Sequence, residues 1–225
     1  MAERIALIGG TGKEGKGLAY RWAKAGYEVV IGSRQIEKAQ IAADEINQLL
    51  VGVKNPVTGL QNIQAADWCD YAVLTVPYAA HQTILAELKE CLSGKILIDV
   101  TVPLVPPKVS KVQLPIAGSA ALEARDILGE GIQVVSAFQN ISYERLMEDG
   151  DIECDVLVTG TSKDARKVVL ELVEKAGMVG WDAGPIENSM VAEGLTSVLI
   201  GLNSQFGIHN AGIKITGINR DLNAC

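Results

Sequence analysis

The residues with the clearest capacity for chemistry lie near the N-terminus, in Gly9-Gly10-Thr11-Gly12-Lys13-Glu14-Gly15, directly after the apolar stretch that begins at Ile5. Gly10, Gly12 and Gly15 have the spacing G-x-G-x-x-G. In that pattern one glycine makes a tight turn, a second lets the backbone approach a pyrophosphate, and the third lets helix and strand pack closely. Free N–H groups at the start of the following helix then hold the anion. The same loop also reads as G-x-x-G-x-x-G through Gly9, Gly12 and Gly15, a spacing that goes with a catalytic Tyr-x-x-x-Lys pair. Tyr20 and Lys24 form such a pair. They lie on the helix leaving the loop, beside the pyrophosphate and away from any reacting ring, so they are expected to be a coincidence of spacing on a solvated face.

A second group of residues follows at the end of the next strand, Gly32-Ser33-Arg34, with Lys38 one turn further on. About 20 residues past such a loop, an NAD enzyme carries Asp or Glu for the ribose 2′-hydroxyl. A carboxylate there would repel a 2′-phosphate. Here the position offers a hydroxyl, a guanidinium able to grip phosphate in two places, and an ammonium. Thr11 could add a further hydroxyl. These types favour NADP as the cofactor, the alternative being an ordinary solvated Arg and Lys at a strand end.

Three later strand ends should border the crevice where open α/β sheets bind ligands. They carry Thr75-Val76-Pro77, then Asp99 to Pro107 including Val105, then Ser136-Ala137-Phe138-Gln139-Asn140. These supply apolar walls and amides but no acid–base pair, so no catalytic residue is assigned. Asp99 reads as a turn cap, Gln139 and Asn140 as structural amides, and His81 as a surface histidine. Ketone reduction needs a proton delivered by a poised side chain. Hydride exchange between two flat cofactors needs mainly stacking and exclusion of water.

The elements that must position these residues alternate between strand-length apolar runs and segments of helical period. Strands are expected at Ile5–Gly9, Glu28–Gly32, Tyr71–Val76, Lys95–Val100, Gln133–Ala137, Asp155–Gly160 and Met178–Asp182. Helices are expected at Gly15–Ala25, Ile36–Leu50, Ala79–Leu92, Ser119–Leu128 and Ser162–Ala176. Val/Ile/Leu-rich strands without alternation belong to a parallel sheet covered on both faces. The expected fold is therefore α/β, a Rossmann-type doubly wound and mainly parallel sheet with a small C-terminal helical appendage. Residues 1–185 would form the NADP-binding part. Residues 186–225 would form a helical segment serving the substrate pocket and a dimer contact, with Val191, Leu195, Val198, Leu202 and Phe206 along one stripe.

Composition narrows the partners. A formal net charge of −7 argues against a nucleic-acid partner. Four scattered cysteines and two histidines make a zinc site or a disulfide framework improbable. No apolar run approaches the roughly 20 residues that span a bilayer, and no signal peptide precedes the first strand. A cytoplasmic protein acting on small-molecule cofactors is expected.

The chain resembles the NADPH-dependent reductases of coenzyme F-420 (F420) along nearly its whole length. The resemblance is carried by Leu7-Ile-Gly-Gly-Thr-Gly12, Gly15-Lys-Gly-Leu18, Ile31-Gly-Ser-Arg34 with Lys38, Ala72-Val-Leu-Thr75 with Pro77, Pro103-Leu-Val-Pro106 and Val134-Val-Ser-Ala137. In the tail it rests on Asp182-Ala-Gly-Pro185, Asn188-Ser189 and Gly212-Ile-Lys214. It implies NADP held by Thr11, Gly12, Lys13, Glu14, Ser33, Arg34 and Lys38, with Val76, Pro77 and Val105 nearer the nicotinamide. It also implies hydride exchange with the deazaflavin F420, and a homodimer formed through the C-terminal helix. Gln139 stands where the family leads one to expect His, and Ser142 where Pro is expected; both bear on the second substrate. Lys108, Lys111 and Lys214 are candidates for its anionic tail, and each could equally be a surface charge. Two further readings remain open: an NADPH-dependent reductase of a small imine or carbonyl, and a non-enzymatic NADP sensor.

Overall fold

A computed structural model describes residues 3–218. In chain order the elements are β1 (Arg4–Ile8), α1 (Lys13–Lys24), β2 (Glu28–Ser33), α2 (Ile36–Leu49), β3 (Thr58–Gln61), α3 (Asn62–Trp68), β4 (Tyr71–Leu74) and α4 (Tyr78–Leu88). They continue with β5 (Ile96–Asp99), α5 (Ala120–Leu128), β6 (Gln133–Ser136), α6 (Tyr143–Leu146), β7 (Asp155–Gly160), α7 (Lys163–Lys175) and β8 (Val179–Pro185). A 3-10 turn (Ile186–Asn188) then leads into α8 (Ser189–Phe206).

All eight strands form one sheet in the order β3-β2-β1-β4-β5-β6-β7-β8. The first six are parallel in the doubly wound Rossmann order, which reverses direction between β1 and β4. β7 pairs antiparallel with β6, and β8 runs parallel to β7.

Successive residues of the central strands feed opposite faces, because side chains alternate along a strand. Ile5 and Leu7 join Leu18, Trp22, Ile46 and Leu172 on one face. Ala6 and Ile8 join Ala65, Ile84, Leu85, Leu88 and Leu122 on the other. Each face therefore carries its own dry core, and burial on both sides is what the unalternating strand sequences require. Two helix starts, those of α5 and α7, follow serine caps. Ser119 accepts from the Leu122 N–H and Ser162 from the Ala165 N–H, each satisfying a donor of the first turn.

Three features depart from the sequence expectations, and α6 also lies where no element is expected. β3 and α3 occupy the stretch after residue 57, where no element is expected: β3 is a short edge strand containing Gly59, and α3 opens with a reciprocal cap between Gln61 and Gln64. α1 starts at Lys13, two residues early, because Gly12 already serves as its N-cap. α4 ends at Leu88, although Leu92 is still buried against the same face. On α8 the apolar stripe is present as expected, and it points outward. Val191, Val198, Leu202 and Phe206 are exposed, whereas Ser189, Ala192, Glu193, Ser197 and Leu199 face the body.

Of the Tyr20–Lys24 pair only Lys24 lies on a solvated face. The Tyr20 ring is buried, and both side chains bond Asp149, so the pair ties α1 to the loop before β7. Nearby Arg21 donates to the carbonyls of Arg145, Leu146, Glu148, Gly150 and Ala176 and fixes the same loop. Among the described residues, no helix is long and apolar enough to cross a membrane. Of the segment expected from residue 186 onward, residues 219–225 lie outside the described residues.

Candidate functional site

The glycine loop closes between β1 and α1 through backbone contacts that tolerate no side chain. A Cβ on Gly15 would lie 2.5 Å from the Gly10 Cα and 2.7 Å from the Gly10 carbonyl oxygen. A Cβ on Gly10 would lie 2.5 Å from the Leu7 Cβ. Gly12 differs: nothing lies within 4 Å of a Cβ built there, at the N-terminus of α1. The loop thus packs tightly on its inner side and leaves an open cradle outside, where helix N–H groups point free. The Gly10 N–H reaches the Leu7 and Gly32 carbonyls at 3.0 and 3.1 Å. The Gly9 N–H donates to the Asn62 Oδ1 at 3.2 Å. Asn62, which opens α3, is thus a loop-fixing residue that sequence reasoning missed, since α3 itself has no periodic apolar stripe.

Beside the cradle, a cavity of about 550 Å³ is lined by Thr11, Ser33, Arg34, Lys38, Asn62, Val76 and Pro77, among others. The Ser33 Oγ accepts from the Gln35 N–H at 3.2 Å, which turns the chain sharply after β2. Arg34 and Lys38 are exposed, and their charged groups make no hydrogen bond or ion pair among the described residues. No carboxylate lines this cavity. Two unpaired cations and a hydroxyl at a strand end, with no acid beside them, suit a dianionic phosphate.

A second, larger cavity of about 700 Å³ meets the first over Gly9, Thr11, Val76 and Pro77. Its floor is Val100, Thr101 and Val102, its far walls are Gln139 to Tyr143, and α8 contributes Thr196, Leu199, Ile200 and Asn203. Phe138 directs that wall. It adopts φ +73 after β6, packed edge-on against Trp22 at 5.7 Å. A left-handed residue with a Cβ costs about 1–2 kcal/mol, so this burial fixes a turn that brings Gln139 and Asn140 to the crevice. The two amides are also structural, as the sequence suggested. The Gln139 Nε2 donates to the Asp99 carbonyl and the Ser136 Oγ, both at 2.8 Å, and the Asn140 Nδ2 donates to the Ala192 carbonyl. The Gln139 Oε1 and Thr101 Oγ1, however, are buried without partners.

The other expected residues fall in different places. Glu14 lines the larger cavity, and burial alone pushes its carboxyl up to about 8. Lys13 turns away from the cavity, its Nζ 3.3 Å from the Tyr143 hydroxyl and 4.6 Å from that ring's centre. Tyr143 itself lines the crevice, so this cation–π contact bridges its rim. Ala137 is fully buried in the core, and Val105 is exposed beside the cavity lining without belonging to it. Lys214 lies 3.5 Å from Glu153 at the surface.

His81 corrects the expectation of a surface histidine. It is wholly buried, its Nε2 2.7 Å from the Asp99 Oδ2. Asp99 also caps the following turn as expected, its Oδ1 accepting from the Thr101 N–H at 3.0 Å. Sequence spacing cannot reveal this pairing, because the partners stand 18 positions apart, one on α4 and the other at the end of β5.

Comparison with known proteins agrees with this architecture. Residues 4–103 match the family described as NADP oxidoreductase, coenzyme F420-dependent. The F420-dependent NADP reductase of Methanothermobacter marburgensis is 41% identical over 221 residues, covering 96% of this chain and 99% of that protein. The enzyme of the same description from Methanocaldococcus jannaschii is 38% identical over 222 residues, again covering 96% of this chain and 99% of the relative. A crystal structure from Arthrobacter sp. FB24, described as a candidate F420 dependent NADP-reductase, superposes with a TM-score of 0.78 at 27% identity, covering 95% of this chain and 99% of that one. A pyrroline-5-carboxylate reductase from Coxiella burnetii, at 18% identity and a TM-score of 0.59, shares the fold. The chain belongs to the family of coenzyme F420-dependent NADP oxidoreductases.

Proposed function

We propose that this protein transfers a hydride between NADP(H) and coenzyme F420. One observation carries the reading: two cavities, one bordered by unpaired cations and one by apolar walls and amides, meet at the glycine loop. Ser33, Arg34, Lys38 and Thr11 would hold the 2′-phosphate, and the open face at Gly12 the pyrophosphate, with Val76 and Pro77 where the cavities meet. When bound, the two cofactors would supply the redox chemistry, a hydride passing between nicotinamide and deazaflavin in either direction. The chain's own work is to align the two rings and exclude water, and most of the rate advantage of such a site comes from that alignment. Leu199 and Ile200 of α8 give the second ring apolar cover, which supports assigning the C-terminal helix to the substrate pocket. The test uses NADPH deuterated at C4 in a single turnover with oxidised F420. Deuterium recovered in the reduced deazaflavin is expected; hydrogen drawn only from solvent would overturn direct transfer.

Glu14 makes binding depend on pH. Its carboxyl is neutral below about 8 and so does not repel the pyrophosphate; above that value it becomes an anion facing an anion. NADPH affinity is therefore expected to fall as pH rises through about 8, and Glu14→Gln to remove that loss. Titration of NADPH binding by fluorescence at each pH checks this, and an unchanged alkaline loss in the variant would contradict it.

A homodimer is part of the proposal. It is supported by the stripe Val191, Val198, Leu202 and Phe206 of α8, which is exposed among the described residues. A cytoplasmic location is proposed as well, in keeping with the unpaired Cys69, Cys91 and Cys154.

A further inference from the structure

Behind the crevice lies a buried charge cluster that the proposed hydride transfer does not use. Its centre is His81 on α4, with no exposed surface. The Nε2 of His81 meets the Asp99 Oδ2 of β5 at 2.7 Å, and its Nδ1 faces the Glu123 Oε2 of α5 at 3.8 Å. Glu123 in turn accepts from the Tyr78 hydroxyl, at 3.1 Å on one oxygen and 3.0 Å on the other. The Tyr78 ring is tilted over His81, with centres 6.0 Å apart. From α8, the Glu193 carboxyl accepts from the Ala120 and Ala121 N–H groups at 2.7 and 3.1 Å. Burial, with Asp99 and Glu123 adding their charge, pushes the Glu193 carboxyl up to about 8 despite those two bonds, so near neutral pH it adds little negative charge to the cluster.

Both ends of this cluster reach the crevice. Asp99 holds the Thr101 N–H at 3.0 Å, and Thr101 is part of the cavity floor. Tyr78, held by Glu123, is part of its wall. The geometry bears on the ring's protonation: Nε2 is bonded to Asp99, and Nδ1 is buried without a hydrogen-bond partner, with Glu123 the carboxylate it faces. A neutral imidazole donates from one nitrogen only and would turn the lone pair of the other toward a carboxylate in a dry site. Each such clash costs the desolvation of an unsatisfied group. A doubly protonated ring donates to Asp99 and faces Glu123 with a positive charge.

We propose that His81 is the positioning residue of the crevice: with a proton on each ring nitrogen, it holds Asp99 beneath the floor at Thr101 and Glu123 behind the wall at Tyr78. Burial opposes a charge on His81, but attraction to Asp99, the hydrogen bond to Asp99 and the charge of Glu123 outweigh it and keep the ring's pKa above the usual histidine value of 6.5. Loss of that proton leaves two buried carboxylates without a cation between them, and the floor and wall lose their common anchor. Small misplacements near reacting atoms cost up to about a hundredfold in rate.

The chain has only two histidines, so its ring signals are few. Protein labelled with nitrogen-15 at histidine and carbon-13 at threonine methyls would be titrated by NMR, with His209→Gln used to assign the ring resonances. Below pH 6.5, the usual histidine value, both His81 nitrogens are expected to carry protons. As pH rises above 6.5, the ring should lose its proton, the Thr101 methyl should shift at the same inflection, and kcat with saturating NADPH and F420 should fall by more than about tenfold. Glu123→Gln should move that inflection to lower pH. A ring already neutral below pH 6.5, or a ring that titrates without moving the Thr101 methyl, overturns the proposal. The kinetic arm rests on the proposed hydride transfer. Were F420 not reduced at all, that reading would fail, while the ring and methyl titrations would still decide this one.

Discussion

Gly12→Val is expected to abolish NADPH binding while leaving the protein folded. Nothing lies within 4 Å of a Cβ at residue 12, so a valine's Cβ meets no protein atom and its side chain projects from the start of α1 into the proposed pyrophosphate cradle. The backbone there is extended, with φ −77 and ψ 171, which a β-branched residue adopts readily. Replacing Gly by Val at an N-cap costs roughly 1 kcal/mol, too little to unfold a domain of this size. Gly15→Ala is the opposite case. Its methyl group would lie 2.5 Å from the Gly10 Cα, so the loop or α1 has to move and the unfolding midpoint should drop. Calorimetry and NADPH titration on both variants separate the two. Retained affinity in Gly12→Val would mean that the anion does not rest on this helix end.

Arg34→Ala is expected to weaken NADPH binding by more than about tenfold, roughly 1.4 kcal/mol or more, and to leave NADH binding nearly unchanged. The Arg34 side chain contributes to no protein hydrogen bond or ion pair among the described residues, so its removal should cost little stability. Only a ligand with a phosphate beside Ser33 and Lys38 should feel the loss. Equal losses for NADH and NADPH would refute the 2′-phosphate role.

Much of this arrangement was legible in the sequence, because it depends on local rules. The loop spacing, the strand runs and the Gly-Ser-Arg segment each encode their structure within about ten residues. β3 and α3 were not legible. Thr58 to Gln61 is short, includes a glycine and is only half-buried, so no apolar run marks it, and with it went Asn62. The His81–Asp99 pair was hidden for a different reason: only the stacking of α4 on β5 brings the two together. The α8 stripe has clear helical period but faces outward, since period reports an amphipathic face and not which partner covers it. Glu14 was named among the cofactor contacts, but its raised pKa was not legible, because burial in the folded protein causes it.

The central claim, hydride exchange between NADPH and F420, is tested most directly by mixing the purified protein with NADPH and oxidised F420 and following the deazaflavin's visible absorbance. The account predicts rapid bleaching with NADPH and little or none with NADH at the same concentration. NADPH that binds tightly while the absorbance stays constant would contradict it.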